Sequence, residues 1–116
     1  MADKTVILVT RTGLGTTGPA DQAFGSDMLD KFLHAVEAKA PKPYAICFYT
    51  EGVKVTCAGS PHLIGLGLLE RMGVRLVTCQ TCLNYYELAD QLAVGQSAGM
   101  VEIVALMAEA DKVITI

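Results

Sequence analysis

The sequence has no tryptophan, only three phenylalanines and little charge of either sign. Charged residues make up 18% of the 116 residues, against roughly 25% in an average soluble domain. Hydrophobic residues make up 52%. A disordered chain has the opposite balance, so the composition excludes one. The nine lysines and arginines are scattered and the net charge is −3. Because nucleic-acid binding requires a basic stripe, we expect no nucleic-acid partner.

Long hydrophobic runs are also missing. The longest, around Leu63 to Leu69, is much shorter than the roughly 20 residues of a membrane span, so we expect no membrane partner. The first residues lead into a strand-like run without a charged and apolar leader, which predicts no signal peptide. Four cysteines without a leader favour a reducing, cytoplasmic compartment. Close cysteine pairs there are more often catalytic or metal-binding than disulfide-bonded.

The chain is small for its apolar content. A domain of this size exposes a large share of its surface, and the mean hydropathy of +0.41 leaves little polar surface to cover it. We expect residues 1–116 to form one domain. Part of its apolar surface is then expected to be buried between copies in an oligomer.

Strand-like and helix-like segments alternate along the chain, which predicts an α/β fold with a mostly parallel sheet and helices on both faces. The predicted strands are Thr5 to Thr10, Tyr44 to Tyr49, Val74 to Thr78, Ala93-Val94 and Lys112 to Ile116. The predicted helices run from Asp21 towards Pro41, from Ser60 and Pro61 to Met72 with Gly73 as the C′ residue, from Leu83 to Leu92, and from Gly99 to Ala110. The last helix is apolar on nearly all sides, so we expect it to be buried.

The chemistry of the sequence centres on Cys79 and Cys82. Cys79 ends a predicted strand and Cys82 lies near the start of the next helix. In parallel sheets, ligands gather at the carboxyl ends of the strands. Free N–H groups and the partial positive charge of a helix start stabilise a thiolate, so the sequence predicts lowered thiol pKa values. We therefore expect both cysteines to act chemically.

The other cysteines and the histidines suggest an additional thiol and an alternative role for the cysteine pair, as zinc ligands. Cys57 lies in a segment that is expected to share the rim with Cys79, which makes it a candidate auxiliary thiol. Together with His62, Cys79 and Cys82 it would complete a tetrahedral zinc set. The spacing of Cys57 and His62 is untypical of zinc sites, so we expect no metal and interpret His62 as solvated. Cys47 is interpreted as a core residue, and His34 is given no role.

The segment Gly13 to Gly18 matches a dinucleotide-binding fingerprint by letter, between a strand and a helix. Pro19 directly after it, and the late position of the next acid at Glu51, count against a nucleotide. We expect no cofactor. Gly13 and Gly15 are instead interpreted as a permissive loop that lines a small substrate pocket beside Cys79.

The whole pattern resembles the DsrE/DsrF-like family, and within it the C-terminal domain of YedF-type selenium-metabolism proteins. The residues that carry the resemblance are Leu14-Gly15, Gly25, Met28 to Phe32, Glu51 to Lys54, Gly73-Val74, Cys79 to Leu83, Val94-Gly95 and Met100. The resemblance implies a three-layer α/β/α fold with a mainly parallel five-stranded sheet, assembled as a homotrimer or homohexamer. It also implies sulfur relay, with a persulfide on Cys79 and Cys82 as the second thiol. YedF-type proteins usually begin with a TusA-like domain, so a TusA-like partner is expected here as a separate protein.

Three functions follow from these observations. The first is a sulfur carrier or sulfurtransferase subunit that takes a persulfide on Cys79 from a TusA-like or other donor protein. Cys82 tunes or resolves it, and helix N–H groups with Thr81 stabilise the anionic sulfur. The second is a thiol–disulfide oxidoreductase. The third is a non-catalytic oligomeric subunit with a regulatory or binding role.

Overall fold

A parallel sheet forms the centre of the protein. The structure, a computed structural model, describes residues 4–116. Their strands are β1 (Thr5–Val9), β2 (Ala45–Phe48), β3 (Arg75–Cys79), β4 (Gln96–Ala98) and β5 (Lys112–Thr115). The spatial order is β4-β3-β2-β1-β5, and each neighbouring pair is parallel. The predicted fold class is therefore confirmed.

Helices cover the sheet on both sides and complete three layers. They are α1 (Gln22–Ala38), α2 (Leu63–Arg71), α3 (Gln80–Tyr85) and α4 (Met100–Glu109), with 3₁₀ helices at Pro19–Asp21 and Thr50–Thr56. Among residues 4–116 there is no helix with both the length and the apolar character needed to cross a lipid bilayer.

The sheet separates two buried clusters, because successive side chains of a strand point to opposite faces. One cluster lies under α1 and α2, and we call it the helical face. It contains Ile7, Val9, Leu29, Leu33, Ile46, Phe48, Val55, Leu66, Leu69, Val74 and Leu76. The other lies under the second 3₁₀ helix, α3 and α4, and we call it the thiol face. It contains Val6, Leu8, Ala45, Cys47, Val53, Cys57, Val77, Cys79, Leu83, Ile103 and Leu106.

The prediction that the last helix is buried is wrong. In α4 only Ile103 and Leu106 are buried, whereas Val101 is 87% exposed and Val104 is 50% exposed. The reason is positional: α4 packs against the sheet with one side only, beside β3 and β4. Its apolar outer side therefore remains at the surface of a single chain.

The third helix and the fourth strand also lie elsewhere than predicted. α3 begins at Gln80 and ends at Tyr85, not at Leu92. Glu87 adopts a positive φ of 58°, and the Leu88 N–H donates to the Leu83 carbonyl at 2.8 Å, which closes the helix as a Schellman motif. Without a glycine at this position, the sequence carries no stop signal.

The fourth strand starts after Gly95 rather than at Ala93. A Cβ on Gly95 would lie 2.6 Å from both the Cβ and the carbonyl oxygen of Leu76, so the chain approaches β3 as only glycine permits. Pairing of β4 with β3 follows at Gln96.

The predicted ends of the second helix are partly right. Ser60 Oγ accepts from the His62 N–H at 3.1 Å, and the helix begins two residues later than Pro61, at Leu63. At its other end Gly73 has a φ of +95° and the Val74 N–H donates to the Leu69 carbonyl at 3.0 Å. Gly73 therefore is the predicted C′ residue.

Candidate functional site

Two thiols meet where β3 passes directly into α3. Cys79 is the last residue of the strand and the N-cap of the helix, and Cys82 follows three positions later. This spacing places both side chains on the same side of the turn. The Cys79 thiol lies close enough to act on the ionisation of Cys82. The four cysteines of the chain are all free thiols.

A backbone amide from another strand end completes this pair. The Thr50 N–H donates to the Cys82 Sγ at 3.1 Å. Thr50 follows β2, and its hydroxyl shares its hydrogen between the carbonyls of Thr10 at 3.0 Å and Tyr49 at 2.7 Å. Thr50 thus ties the ends of β1 and β2 to the thiol of α3.

Thr50 holds this position in a strained conformation. Its φ is +48°, in the left-handed region that a β-branched residue rarely adopts. Such strain persists only where the surrounding structure enforces it, and it concentrates at functional sites. Sequence reasoning missed Thr50, because a threonine after a strand carries no signal of a positive φ.

The adjoining glycine explains how the second 3₁₀ helix reaches this place. A Cβ on Gly52 would lie 2.0 Å from the Val9 carbonyl oxygen, so only glycine lets the segment pack across the end of β1. The Tyr49 N–H donates to the same oxygen at 3.2 Å. This close approach fixes the path of Thr50 and therefore its N–H beside Cys82.

The two thiols differ in exposure and in electrostatics. Cys79 is 2% exposed, whereas Cys82 is half-buried. Burial raises the pKa of Cys82 above its usual range, the Thr50 N–H opposes that rise, and the neighbouring Cys79 adds to it. The predicted lowering is therefore wrong for Cys82. Desolvation of the thiolate outweighs the backbone donor that the turn provides.

The remaining cysteines lie on the thiol face below this pair. Cys57 is 2% exposed, donates from Sγ to the Val53 carbonyl at 3.2 Å and pairs with Leu92 in an antiparallel bridge. Burial raises the pKa of Cys57. Cys47 lies within β2, as expected of a core residue, and burial raises its pKa to about 11. Both thiols are therefore protonated at neutral pH.

Buried hydroxyls connect the 3₁₀ helix to the strand that carries Cys79. Thr56 Oγ1 lies 3.0 Å from Thr78 Oγ1, and both residues are completely buried. Thr56 Oγ1 also donates to the Val53 carbonyl at 2.9 Å, which leaves Thr78 as the donor between the two hydroxyls. Satisfied buried polar groups of this kind hold neighbouring elements in one arrangement. They fix the end of β3 directly before Cys79.

The other candidate substrate contacts do not converge on the thiols. Thr81 is exposed on α3. Gly13 packs against Gly25 of α1, where an added Cβ would lie 2.8 Å from the Gly25 carbonyl carbon. Gly13 and Gly15, which has a φ of +75°, line a cavity of about 330 Å³. Its other lining residues are Thr10, Arg11, Thr12, Thr16, Thr17, Gln22 and Glu51. The thiol pair is linked to this cavity through Thr10 and Thr50, not by lining it.

The four residues of the alternative zinc site do not lie together in the structure. His62 is only 2% exposed, so its interpretation as a solvated residue is wrong. It contacts Ser26 and Asp30 of α1, away from the thiol face. Residues 4–116 form no cluster of three or more His, Cys, Asp or Glu that could hold a metal ion. The sequence missed the burial of His62, because α1 and α2 meet only in the fold.

Comparison with solved structures shows the same architecture in other proteins. The ychN protein from E. coli superimposes with a TM-score of 0.72 at 20% identity, covering 99% of this chain and 100% of that one. The protein of unknown function MTH1491 from Methanobacterium thermoautotrophicum gives a TM-score of 0.71 at 18% identity and covers the same shares. BT1422 from Bacteroides thetaiotaomicron gives 0.64 at 17% identity, covering 98% and 95%. At these identities the likeness concerns the fold.

Comparison of the amino-acid sequence with known families identifies the family of this chain. A comparison with curated protein sequences found no match. Residues 12–116, which include both thiols of the pair and Thr50, match the DsrE/DsrF-like family. The match spans most of the chain, and therefore the protein belongs to the DsrE/DsrF-like family.

Proposed function

We propose that this protein is a sulfur carrier, or sulfurtransferase subunit, that holds sulfane sulfur as a persulfide on Cys79 with Cys82 as auxiliary thiol. Its family is generally related to sulfur relay. The observation that carries the proposal is the Thr50 N–H at 3.1 Å from the Cys82 Sγ, with the Cys79 thiol beside it. A positioned donor stabilises a sulfur that must leave or attack as an anion.

The exposures of the two thiols assign an order of events. Cys82 is half-buried and meets the donor first, since Cys79 is almost inaccessible. The Cys82 thiolate attacks the outer sulfur of the donor persulfide, the donor S–S bond breaks, and the donor leaves as a thiolate. The Cys79 thiolate then attacks the outer sulfur of the Cys82 persulfide, and Cys82 leaves as a thiolate. The transfer needs no external oxidant, and protons are exchanged with solvent.

The test is mass spectrometry after incubation with a low-molecular-weight persulfide and a brief chase with excess thiol. The wild type is expected to retain one additional sulfur atom, which peptide mapping places on Cys79. In Cys79→Ser the retained sulfur is expected to fall about tenfold, because the chase thiol reaches a persulfide on Cys82. Cys82→Ser loads Cys79 more slowly, and Cys57→Ser is the matched control that behaves as wild type. No added sulfur on the wild type, or undiminished retention in Cys79→Ser, overturns the proposal.

The two alternative functions have distinct signatures. A thiol–disulfide oxidoreductase is expected to reduce protein disulfides, whereas a sulfur carrier takes up and passes on sulfane sulfur without reducing them. We therefore expect little reduction of insulin disulfides. A non-catalytic regulatory or binding subunit predicts ordinary alkylation rates for Cys79 and Cys82 at neutral pH and no retained persulfide.

The proposal also covers the subfamily, the cellular location and the protein partners. We propose a YedF-type relationship, a cytoplasmic location, and a TusA-like protein or another persulfide protein as donor and acceptor. The family match and the free thiols support this setting.

We also propose self-association as a trimer or hexamer. The large apolar side chains exposed on α4 and β5 are Met100, Val101, Val104, Val113 and Ile114. Exposed apolar side chains on two elements of a chain with 18% charged residues favour burial against other copies.

A further inference from the structure

A serine, a histidine and an aspartate lie in line on the helical face, away from the cysteines. Ser26 and Asp30 are four residues apart on α1, so their side chains share one side of the helix. His62, at the start of α2, inserts its ring between them. Its Nε2 lies 3.2 Å from Ser26 Oγ, and its Nδ1 lies 3.6 Å from Asp30 Oδ1.

The order of the atoms matters for the chemistry. A carboxylate only accepts hydrogen bonds, so Asp30 favours the tautomer in which Nδ1 carries the hydrogen. Nε2 is then the acceptor and takes a hydrogen bond from the Ser26 hydroxyl. This is the arrangement in which an imidazole acts as general base towards a serine and a carboxylate orients it.

The ring of His62 is held in place by packing and by its backbone. The residue is 2% exposed, its N–H donates to Ser60 Oγ at 3.1 Å, and its carbonyl accepts from the Leu66 N–H at 3.0 Å. Among the described residues no hydrogen bond reaches Nδ1, and the 3.6 Å to Asp30 is longer than such a bond. A buried polar nitrogen without a hydrogen bond costs free energy. Contacts between catalytic groups are often long before a substrate binds.

Ser26 and His62 both line an open cavity of about 460 Å³ between α1, the second 3₁₀ helix and the segment before α2. Its volume lies in the range of small-molecule sites. Lys54 lines the cavity, with its Nζ 4.5 Å from the centroid of the Tyr86 ring, and no acidic residue among those described lines it. Neutral or anionic small molecules therefore fit this lining better than cations.

We propose that Ser26 and His62 form a second reactive site, an acyl-transfer site for small esters or thioesters, with Asp30 as a positioning residue. Ser26 Oγ attacks the carbonyl carbon while its proton passes to His62 Nε2. The bond to the leaving alcohol or thiol breaks, and the leaving group takes that proton. Water then attacks the acyl-serine with His62 again as base, which releases a carboxylic acid and restores the serine.

The test uses the full chain carrying Cys79→Ser and Cys82→Ser, so that thiols do not react with the probe and the result is independent of the sulfur proposal. The probe is an alkyl fluorophosphonate, read by intact mass and peptide mapping. We expect one adduct, on Ser26. Ser26→Ala is expected to abolish it, whereas Ser97→Ala, an exposed serine on β4, is the matched control.

Substitution of the other two residues tests their roles. His62→Gln is expected to slow labelling about 100-fold, the smaller end of general-base contributions. Asp30→Asn is expected to slow it about tenfold and Asp30→Glu to restore most of the rate, because a carboxylate again faces Nδ1. Asp27→Asn, an exposed acid of the same helix, is the control. Thermal unfolding verifies that each variant is folded.

The proposal has clear contrary outcomes. A folded parent protein without an adduct on Ser26 overturns it, as does an adduct that forms at the parent rate in folded His62→Gln. If His62→Gln does not fold, hydrolysis of a short-chain nitrophenyl ester by the parent and by Ser26→Ala decides. Equal rates for the two proteins then refute the site.

Discussion

Among residues 4–116, the two faces of the sheet bury equal numbers of hydrophobic core residues, eleven each, yet they are built differently. The helical face is covered mainly by two helices of 17 and nine residues. The thiol face is covered by a 3₁₀ helix of seven residues and helices of six and ten residues. All four cysteines lie on or against the thiol face. Because these helices are short, many ends of helices and strands lie close together on this face. The strained Thr50 is at one of those ends.

The difference teaches where reactive groups are placed in this fold. Strand alternation places Cys47, Val77 and Cys79 on the same side of neighbouring strands. On the helical face the corresponding positions hold Ile46, Phe48 and Leu76, which fill the space with larger side chains. The chemistry of that face instead lies at its rim, where His62 joins α1 and α2. The second 3₁₀ helix contributes to both proposed sites, with Thr50 beside Cys82 and with Lys54 and Val55 in the lining of the cavity of Ser26 and His62.

The largest expected effect comes from a pair of glycine substitutions that tests how closely the thiol side is packed. Gly52→Ala places a Cβ 2.0 Å from the Val9 carbonyl oxygen, so the 3₁₀ helix must shift. We expect a loss of about 3 kcal/mol of unfolding free energy, together with a changed alkylation rate of Cys82.

Gly67→Ala on α2 is the matched control for this change. Its Cβ would meet nothing within 4 Å, and alanine is the better helix former. We expect it to stabilise the protein by roughly 0.5 to 1 kcal/mol without altering Cys82. Urea unfolding measures both variants. Equal effects of the two substitutions would contradict the close approach at Gly52.

The second prediction concerns folding stability at alkaline pH, which depends on an ionisable thiol that only the thiol face buries. Burial raises the pKa of Cys47 from 9.0 to about 11, with Arg75 opposing and Glu102 adding to the rise. Between these values the unfolded chain has lost a proton that the folded chain retains, so the folded state loses stability as the pH increases. The loss due to Cys47 reaches roughly 2 to 3 kcal/mol near pH 11.

Urea unfolding under reducing conditions at neutral pH and near pH 11 measures this loss. Cys47→Ala is expected to lower stability at neutral pH through lost packing but to flatten the alkaline decline. The helical face contributes no cysteine, so Leu29→Ala is the control that lowers stability while leaving the decline unchanged. An identical decline in Cys47→Ala and wild type would contradict the assignment.

The smallest effect on folding is expected at the outer surfaces of the two faces. Val101 on α4 is 87% exposed and Ile64 on α2 is 82% exposed, so a charge at either position changes the folding free energy by only about 0.5 kcal/mol. Light scattering is expected to show an assembly for the wild type and Ile64→Asp. Val101→Asp is expected to dissociate it towards the 12.3 kDa chain. A monomeric wild type would contradict the proposed self-association.

The sequence alone determined the features that depend on local pattern. Uninterrupted apolar runs predicted β1, β2 and β3, because strands of a parallel sheet are buried on both faces. Gly73 predicted the end of α2, because a positive φ at C′ needs little more than the glycine itself. The position of Cys79 at a strand end followed from the same patterns. The family could be recognised in the spacing of such positions.

Tertiary structure decided whatever depends on contacts between distant residues. The positive φ of Thr50 accompanies the packing of Gly52 on β1 and a hydrogen bond to Thr10, 40 residues away in the chain. Whether a thiol pKa rises or falls depends on burial, which the motif around Cys82 does not encode. The burial of His62 required α1 to pack beside α2. The apolar surface of α4 remained exposed because one chain covers only one side of that helix.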